Sequence, residues 1–303
     1  MVRTLFSMAV FPIVLSAAVG ATVVLLERGL DPAVAFVPAT VVAYLFVMLC
    51  ERVLPYHPAW NRSRGDVPVD LGHLIVSGGL TVSLLRPAML ALGIAIGGVL
   101  SENVSPKLWP AHWALVPQLA LALVVGEFFM YWVHRWAHEW EILWRFHATH
   151  HSAPRLYFLN AVRFHPVDLA ISTYAPFVPL VALGAAPEVL ALFVLVSGVH
   201  GVFQHTNLPI RLGPLNWIFS MAQLHRWHHS RRVAESNTNY GQNLIVWDVV
   251  FGTRYLPKDR EPPEDTGIAG LDAFPMDYLS QLASPLRWSR IRRESAAASG
   301  ALP

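Results

Sequence analysis

Between Ala114 and His138 the chain reads ALVPQLALALVVGEFFMYWVHRWAH. Its first twenty residues are apolar apart from Gln118 and Glu127 and are long enough, as a helix, to cross a hydrocarbon layer of about 30 Å. The apolar run then passes without a break into His134 and His138, which are four apart and so share one helix face. A membrane-spanning helix that ends in a pair of imidazoles sets the expectation for the whole chain: an all-α, polytopic membrane helical bundle carrying a cytoplasmic, histidine-rich di-metal cap.

Composition agrees. Of 303 residues, 54% are hydrophobic and 14% charged, far from the balance of a water-soluble domain. Further apolar runs cover 4–26 and 32–50, read as a hairpin of spans, with 4–26 lacking the small-residue cleavage site of a signal peptide. A run over 71–100 is too long for one straight span and is expected to be interrupted at Arg86-Pro87. A run over 166–205 is divided at Gly184-Ala-Ala-Pro187-Glu188 and reads as two short helices folded on each other. The domain boundaries follow: transmembrane helices over 1–112, a catalytic unit over 113–257, and a polar tail over 258–303, expected at the surface near anionic lipid.

With the N-terminus inside, the inner side receives Arg3, Arg52, Arg62, Arg64, Arg135, Arg145, Arg155, Arg163 and every basic residue from Arg211 onward, the outer side only Arg28 and Lys107. This bias makes the chain a multi-pass integral membrane protein with its histidines on the cytoplasmic side, in a bacterial inner membrane or an ER-like one. The sequence has no Walker loop and no GxGxxG, so no nucleotide or flavin site and no nucleic-acid partner are expected. The single Cys50 excludes thiolate metal clusters and internal disulfides.

Histidine is the surplus: fourteen in all, eight of them in His134-Arg-Trp-Ala-His138, His147-Ala-Thr-His150-His151 and His225-Arg-Trp-His228-His229. Each motif presents imidazoles at helical spacing, so each is expected to pinch a metal, and eight rings are twice what one tetrahedral zinc uses. Two metal ions are implied. His200 and His205 are further candidate ligands, although a spacing of five turns their rings roughly 140° apart on a helix. His165 reads equally as a helix-entry residue or as a group beside the metals. Glu127 reads equally as a functional intramembrane acid or as a hydrogen-bonded packing group. Glu139, Asp168 and Asp248 are candidates to accept from ligand N–H groups. Arg226, Arg231 and Arg232, beside the third motif, could steer an acidic partner or simply mark topology.

The spacings HX3H, HX2HH and HX2HH resemble those of the fatty acid hydroxylase and sterol desaturase superfamily of integral-membrane di-iron oxygenases. The likeness extends over residues 127–256. His200 to Asn207 resembles that family's histidine pair, and Asn239-Tyr-Gly241 through Trp247-Asp248 to Phe251-Gly-Thr253 resembles its usual ending. The resemblance implies that His134, His138, His147, His150, His151, His225, His228 and His229 bind two iron ions, with His200 and His205 completing the set and no catalytic side chain beyond these ligands. Candidate outer positions are Glu127, His165, Asp168, Asn239 and Asp248.

The reaction so implied is O2-dependent hydroxylation or desaturation of a sterol, fatty-acyl or related membrane lipid, with electrons from an external ferredoxin- or cytochrome-type donor. The lipid is expected to reach the metals past the 166–205 hairpin, where bulk at Gly201 or Val202 would block it. Two other classes compete. A zinc-dependent membrane hydrolase would use about three protein ligands, and a non-catalytic metal carrier would spread its ligands through the membrane midplane.

Overall fold

The computed structural model describes residues 2–104 and 108–298. Among them there is no β-strand beyond two isolated bridges. Apolar runs in a bilayer must satisfy their own backbone groups, and a helix does so within one segment. Four helices are long and apolar enough to cross a membrane, over Arg3–Glu27, Pro32–Val53, Leu115–Glu139 and Pro187–His205. We label the main elements α1 (Val2–Glu27), α2 (Val37–Val53), α3 (Gly79–Val104), α4 (Leu115–Glu139), α5 (Glu141–His151), α6 (Pro166–Ala182), α7 (Pro187–His205), α8 (Ala222–His228), α9 (Val246–Phe251), α10 (Tyr278–Ala283) and α11 (Trp288–Ala298).

Helix α7 is the axis: α1, α2 and α4 pack on it, while α6 lies between α3 and α4. The packing is close because small residues allow it. A Cβ added to Gly126 of α4 would come within 2.8 Å of the Phe193 ring on α7 and 3.2 Å of Pro176 on α6. The outer faces of α1 and α2 expose Leu5, Ile13, Val42, Leu45 and Leu49, which suits lipid.

Helix α4 ends at Glu139 and α7 at His205, both at the end of the bundle where the N-terminus also lies. There the Arg211 N–H donates to the Ser7 carbonyl at 3.2 Å and the Tyr56 N–H to the Asn207 carbonyl at 2.7 Å. The chain segments between the spans build a cap on this end.

Three expectations change. The break at Arg86-Pro87 is absent: α3 runs through it, since membrane helices tolerate proline, and the irregularity falls earlier, in a π-helical turn at His73–Gly78. The 258–303 segment is not simply a surface tail. Ile268, Phe274, Trp288 and Ile291 form a second apolar cluster with Ala148 of α5, so the polar stretch folds back over the cap. Val202 is wholly buried in the main core, so it lines no open path, whereas a side chain at Gly201 would meet nothing within 4 Å. Lys107 lies outside the described residues.

Candidate metal centre

Helical phase decides which histidines meet. At about 100° per residue, His147 and His151 on α5 lie close in angle while His150 turns to the other side; in and after α8, His225 and His229 pair while His228 turns away. The cap uses both sides. One group is His134, His138, His147, His151 and His228; the other is His150, His205, His225 and His229, and in each group the ligand atoms lie within 4.8 Å of one another. The sequence implies three motifs, each able to pinch a metal, sharing two ions. In the structure the second and third motifs each divide between the two groups, and only His134 and His138 stay together. The groups adjoin through the stacked rings of His151 and His229, 4.4 Å apart.

His200 is the correction to the ligand set. It belongs to neither group; its ring lies against Phe11 at 5.2 Å and Phe219 at 6.3 Å, and both its nitrogens are buried without a partner. Helix α7 continues unbroken from His200 to His205, so the angle between the two rings keeps His200 in the apolar core.

Six of the nine grouped rings donate Nδ1–H to a fixed oxygen. His134 reaches the Tyr240 carbonyl (2.6 Å), His138 the Asn237 Oδ1 (3.2 Å), His147 the Asp168 Oδ2 (2.9 Å), His150 the Arg163 carbonyl (3.2 Å), His205 the Asn160 Oδ1 (3.0 Å) and His228 the Thr238 carbonyl (2.7 Å). A neutral imidazole with its proton on Nδ1 presents a lone pair on Nε2, and these lone pairs point inward. In the four-membered group the Nε2 of His225 lies 2.9 Å from that of His205 and 3.0 Å from that of His229. One proton cannot satisfy three such nitrogens. Nε2 of His138 and His228 and both nitrogens of His151 are buried without partners, which is costly unless something accepts the lone pairs.

Eight of the nine rings are buried and His138 is half-buried. Burial first, and then neighbouring imidazoles, hold His150, His151, His225, His228 and His229 well below the usual histidine pKa, so these rings are neutral and available to bind. Neither group includes a carboxylate or thiolate among the described residues. The donor set fits two divalent transition metals, and all-imidazole sites suit iron, zinc or copper.

The outer candidates divide. Asp168 accepts from His147. Asp248 instead takes the N–H groups of Tyr240 (2.8 Å) and Gly241 (2.7 Å), and Asn239, with a left-handed φ of 54°, bonds the Leu224 and Tyr255 carbonyls. Both shape the loop whose Thr238 and Tyr240 carbonyls hold His228 and His134. Gly241 is required there, since a Cβ would fall 2.1 Å from the Leu244 carbonyl oxygen. Glu127 accepts from the N–H groups of Gln242 (3.1 Å) and Asn243 (2.9 Å), anchoring the same loop without touching a histidine. His165 caps α6, accepting from the Val167 N–H at 3.1 Å, and touches neither group. Glu139 pairs with Arg135 at the surface. Removing the Asp168 acceptor with Asp168→Ala is expected to weaken metal retention by about 10–100-fold. Asp168→Asn, which keeps an acceptor, should lose less; competition with a chelator measures both.

Sequence reading missed a second set of groups. Asp66 pairs with Arg155 and Asp70 with Arg163, all buried, and Glu51 accepts from the N–H groups of Phe158 and Asn207 and from the Thr206 hydroxyl. These tie the ends of the spans to the loop bearing Asn160 and Arg163. Their signal was acids set beside apolar runs. Arg226, read as able to steer a partner or simply to mark topology, is buried: it donates to the Thr206 and Leu208 carbonyls and lies 3.9 Å from the centre of the Tyr56 ring. Burial lowers its pKa to about 10, so it stays charged but faces no partner. Arg231 is paired with Asp272, and Arg232 remains exposed. A surface cleft lined by Trp144, Trp288 and Arg292 opens onto His138.

Comparison with known proteins gives consistent results. Residues 119–253 match the family described as fatty acid hydroxylase. An ornithine lipid hydroxylase of Rhizobium tropici is 39% identical over 240 residues, which cover 79% of this chain and 72% of that protein. An alkylglycerol monooxygenase of Xenopus tropicalis is 29% identical over 219 residues, 72% of this chain and 47% of that protein. Methylsterol monooxygenase 1 of Rattus norvegicus is 26% identical over 153 residues, 48% and 51% respectively. The chain spans about half the length of these two monooxygenases. No solved structure gives a significant match.

Proposed function

This chain belongs to the fatty acid hydroxylase family of oxidoreductases, and we propose that it hydroxylates a membrane lipid with two iron ions held by nine histidines. The observation that carries this reading is the division of nine imidazoles into a group of five and a group of four, six of them with their tautomer fixed from outside. Five and four donors exceed what a hydrolytic zinc uses, and their place at one end of the bundle is unlike a midplane transport site.

When bound, the irons supply activation of O2, so that a lipid C–H, O2, two electrons and two protons give C–OH and water. The protein's part is placement and exclusion. Oxygen acceptors on the Nδ1 side keep the Nε2 lone pairs turned inward, and eight buried rings keep bulk water from the centre. Hydroxylation is favoured over desaturation because the relatives named above are a hydroxylase and monooxygenases, and the most informative lipid to assay first is an ornithine lipid. The excess of arginine at the cap end, against Arg28 at the other, supports a cytoplasmic active site. An external ferredoxin- or cytochrome-type donor supplies the electrons, and the cleft at the half-buried His138 supports an approach there.

The test is turnover of ornithine lipid by the purified chain in nanodiscs with a reduced [2Fe–2S] ferredoxin under 18O2. One labelled oxygen in the product is expected, with two irons per chain. A product lacking two hydrogens and carrying no label would overturn hydroxylation, and zinc in place of iron would overturn the oxygenase reading.

A further inference from the structure

The segment from Met276 to Arg293 has two different sides. Toward the cap, Gln281 is buried and its Nε2–H donates to Ser152 Oγ at 3.1 Å, His165 Nε2–H donates to the Leu282 carbonyl at 3.2 Å, and Trp288 and Ile291 are buried. Away from the cap, Met276, Leu279 and Leu286 are exposed, Leu286 at 92%, the most exposed large hydrophobic residue among those described. A leucine so exposed on a water-facing crown would be out of place beside so many arginines.

Its surroundings give the reason. The Tyr278 ring lies against Gly72, where an added Cβ would come 3.0 Å from it, and the Tyr278 hydroxyl is 3.2 Å from Ser77 Oγ. Residues 67–78 lead directly into α3, and their exposed large hydrophobic side chains are Leu71, Leu74, Ile75 and Val76. Further along α3, Leu84, Leu92 and Ile94 are exposed in turn. The apolar surface of the bundle therefore continues from α3 through this first turn to Leu279. Arg287, Arg290 and Arg293 follow, all exposed, with Arg290 paired to Glu294.

We propose that residues 276–293 form an interfacial element seated in the lipid surface at the cap end of the bundle. Met276, Leu279 and Leu286 enter the boundary between headgroups and acyl chains, and Arg287 and Arg293 rest on anionic headgroups. Apolar side chains at that depth beside basic ones are the pattern of a helix lying in the interface plane. The inference needs the spans and the cap but no metal and no turnover, so it stands or falls apart from the oxygenase reading.

The experiment uses the full chain with Cys50→Ser and one new cysteine at a time: Leu279→Cys, Leu286→Cys, Leu45→Cys as a bilayer reference on α2, and Lys258→Cys as a water reference. Each is spin-labelled and reconstituted in phosphatidylcholine vesicles with and without phosphatidylglycerol. Labels at 279 and 286 are expected to collide with O2 several-fold more than with a water-soluble nickel chelate, as at 45 and opposite to 258. Phosphatidylglycerol is expected to increase that ratio, and adding Arg287→Gln with Arg293→Gln is expected to abolish the increase. Nickel accessibility at both positions equal to that at 258 overturns the proposal. So does exclusion of both probes with spin–spin coupling between chains, which would mean that a second copy covers the patch. Neither side chain is covered by the rest of the protein and the two are read independently, so a folding failure at one does not remove the test.

Discussion

His225→Ala is expected to halve the iron content of the purified chain and to lower lipid hydroxylation by more than about 100-fold, beyond the range that loss of an outer partner produces. Its Nε2 lies between those of His205 and His229, so its removal leaves the four-membered group with three donors and no centre. The five-membered group keeps all its members. His200→Phe provides the contrast. That ring has two orphaned nitrogens and aromatic neighbours, so phenylalanine removes two unsatisfied groups at little change in shape. Both irons and full turnover are expected to remain. Metal analysis beside the labelled-oxygen assay measures each variant, and loss of iron from His200→Phe with none from His225→Ala would refute the division into groups.

Asp70→Ala is expected to cost about 3–5 kcal/mol, because it leaves the Arg163 charge buried without its counter-ion. Both side chains are fully buried, and Asp70 also accepts from the Tyr157 hydroxyl at 2.6 Å. An exposed pair would lose no more than about 1 kcal/mol, so the size of the effect is diagnostic. The damage should extend further, since the Arg163 carbonyl holds the His150 ring, and release of the second metal should accompany the loss of stability. The double variant Asp70→Leu with Arg163→Met, which removes both charges, is expected to recover much of the loss. Thermal unfolding in detergent decides between these outcomes; a single variant as stable as the parent would refute the assigned role of the pair.

The spans and the histidine motifs were legible because both follow from short-range rules: apolar run length and the angle between neighbouring helical positions. The same angular rule that raised the five-residue problem for His200 and His205 decided it, with the unbroken helix keeping His200 apart. How each HX2HH motif divides was not legible, since the face an imidazole presents depends on which helices pack beside it. The groups that fix the rings were hidden for another reason. Three of the six acceptors are the backbone carbonyls of Tyr240, Thr238 and Arg163, and every residue has a carbonyl, so composition gives no sign of them. Arg155, Arg163 and Arg226 count as surface charge in a topology argument, yet all three are buried; only tertiary structure could reveal their partners. The last helix was legible and overlooked: Trp288, Ile291 and Ser295 are its buried residues and recur at helical spacing.

The interleaving of the histidine motifs has a consequence for biogenesis. Neither group is complete without a residue from the His225–His229 stretch, so neither has its full set of donors until the ribosome has released that stretch, by which time all four long apolar helices have been synthesised. Nascent or truncated chains ending before it would carry imidazoles but no finished pocket. Completion of both groups is therefore a late step of assembly, reached only after the long apolar helices that carry the earlier imidazoles.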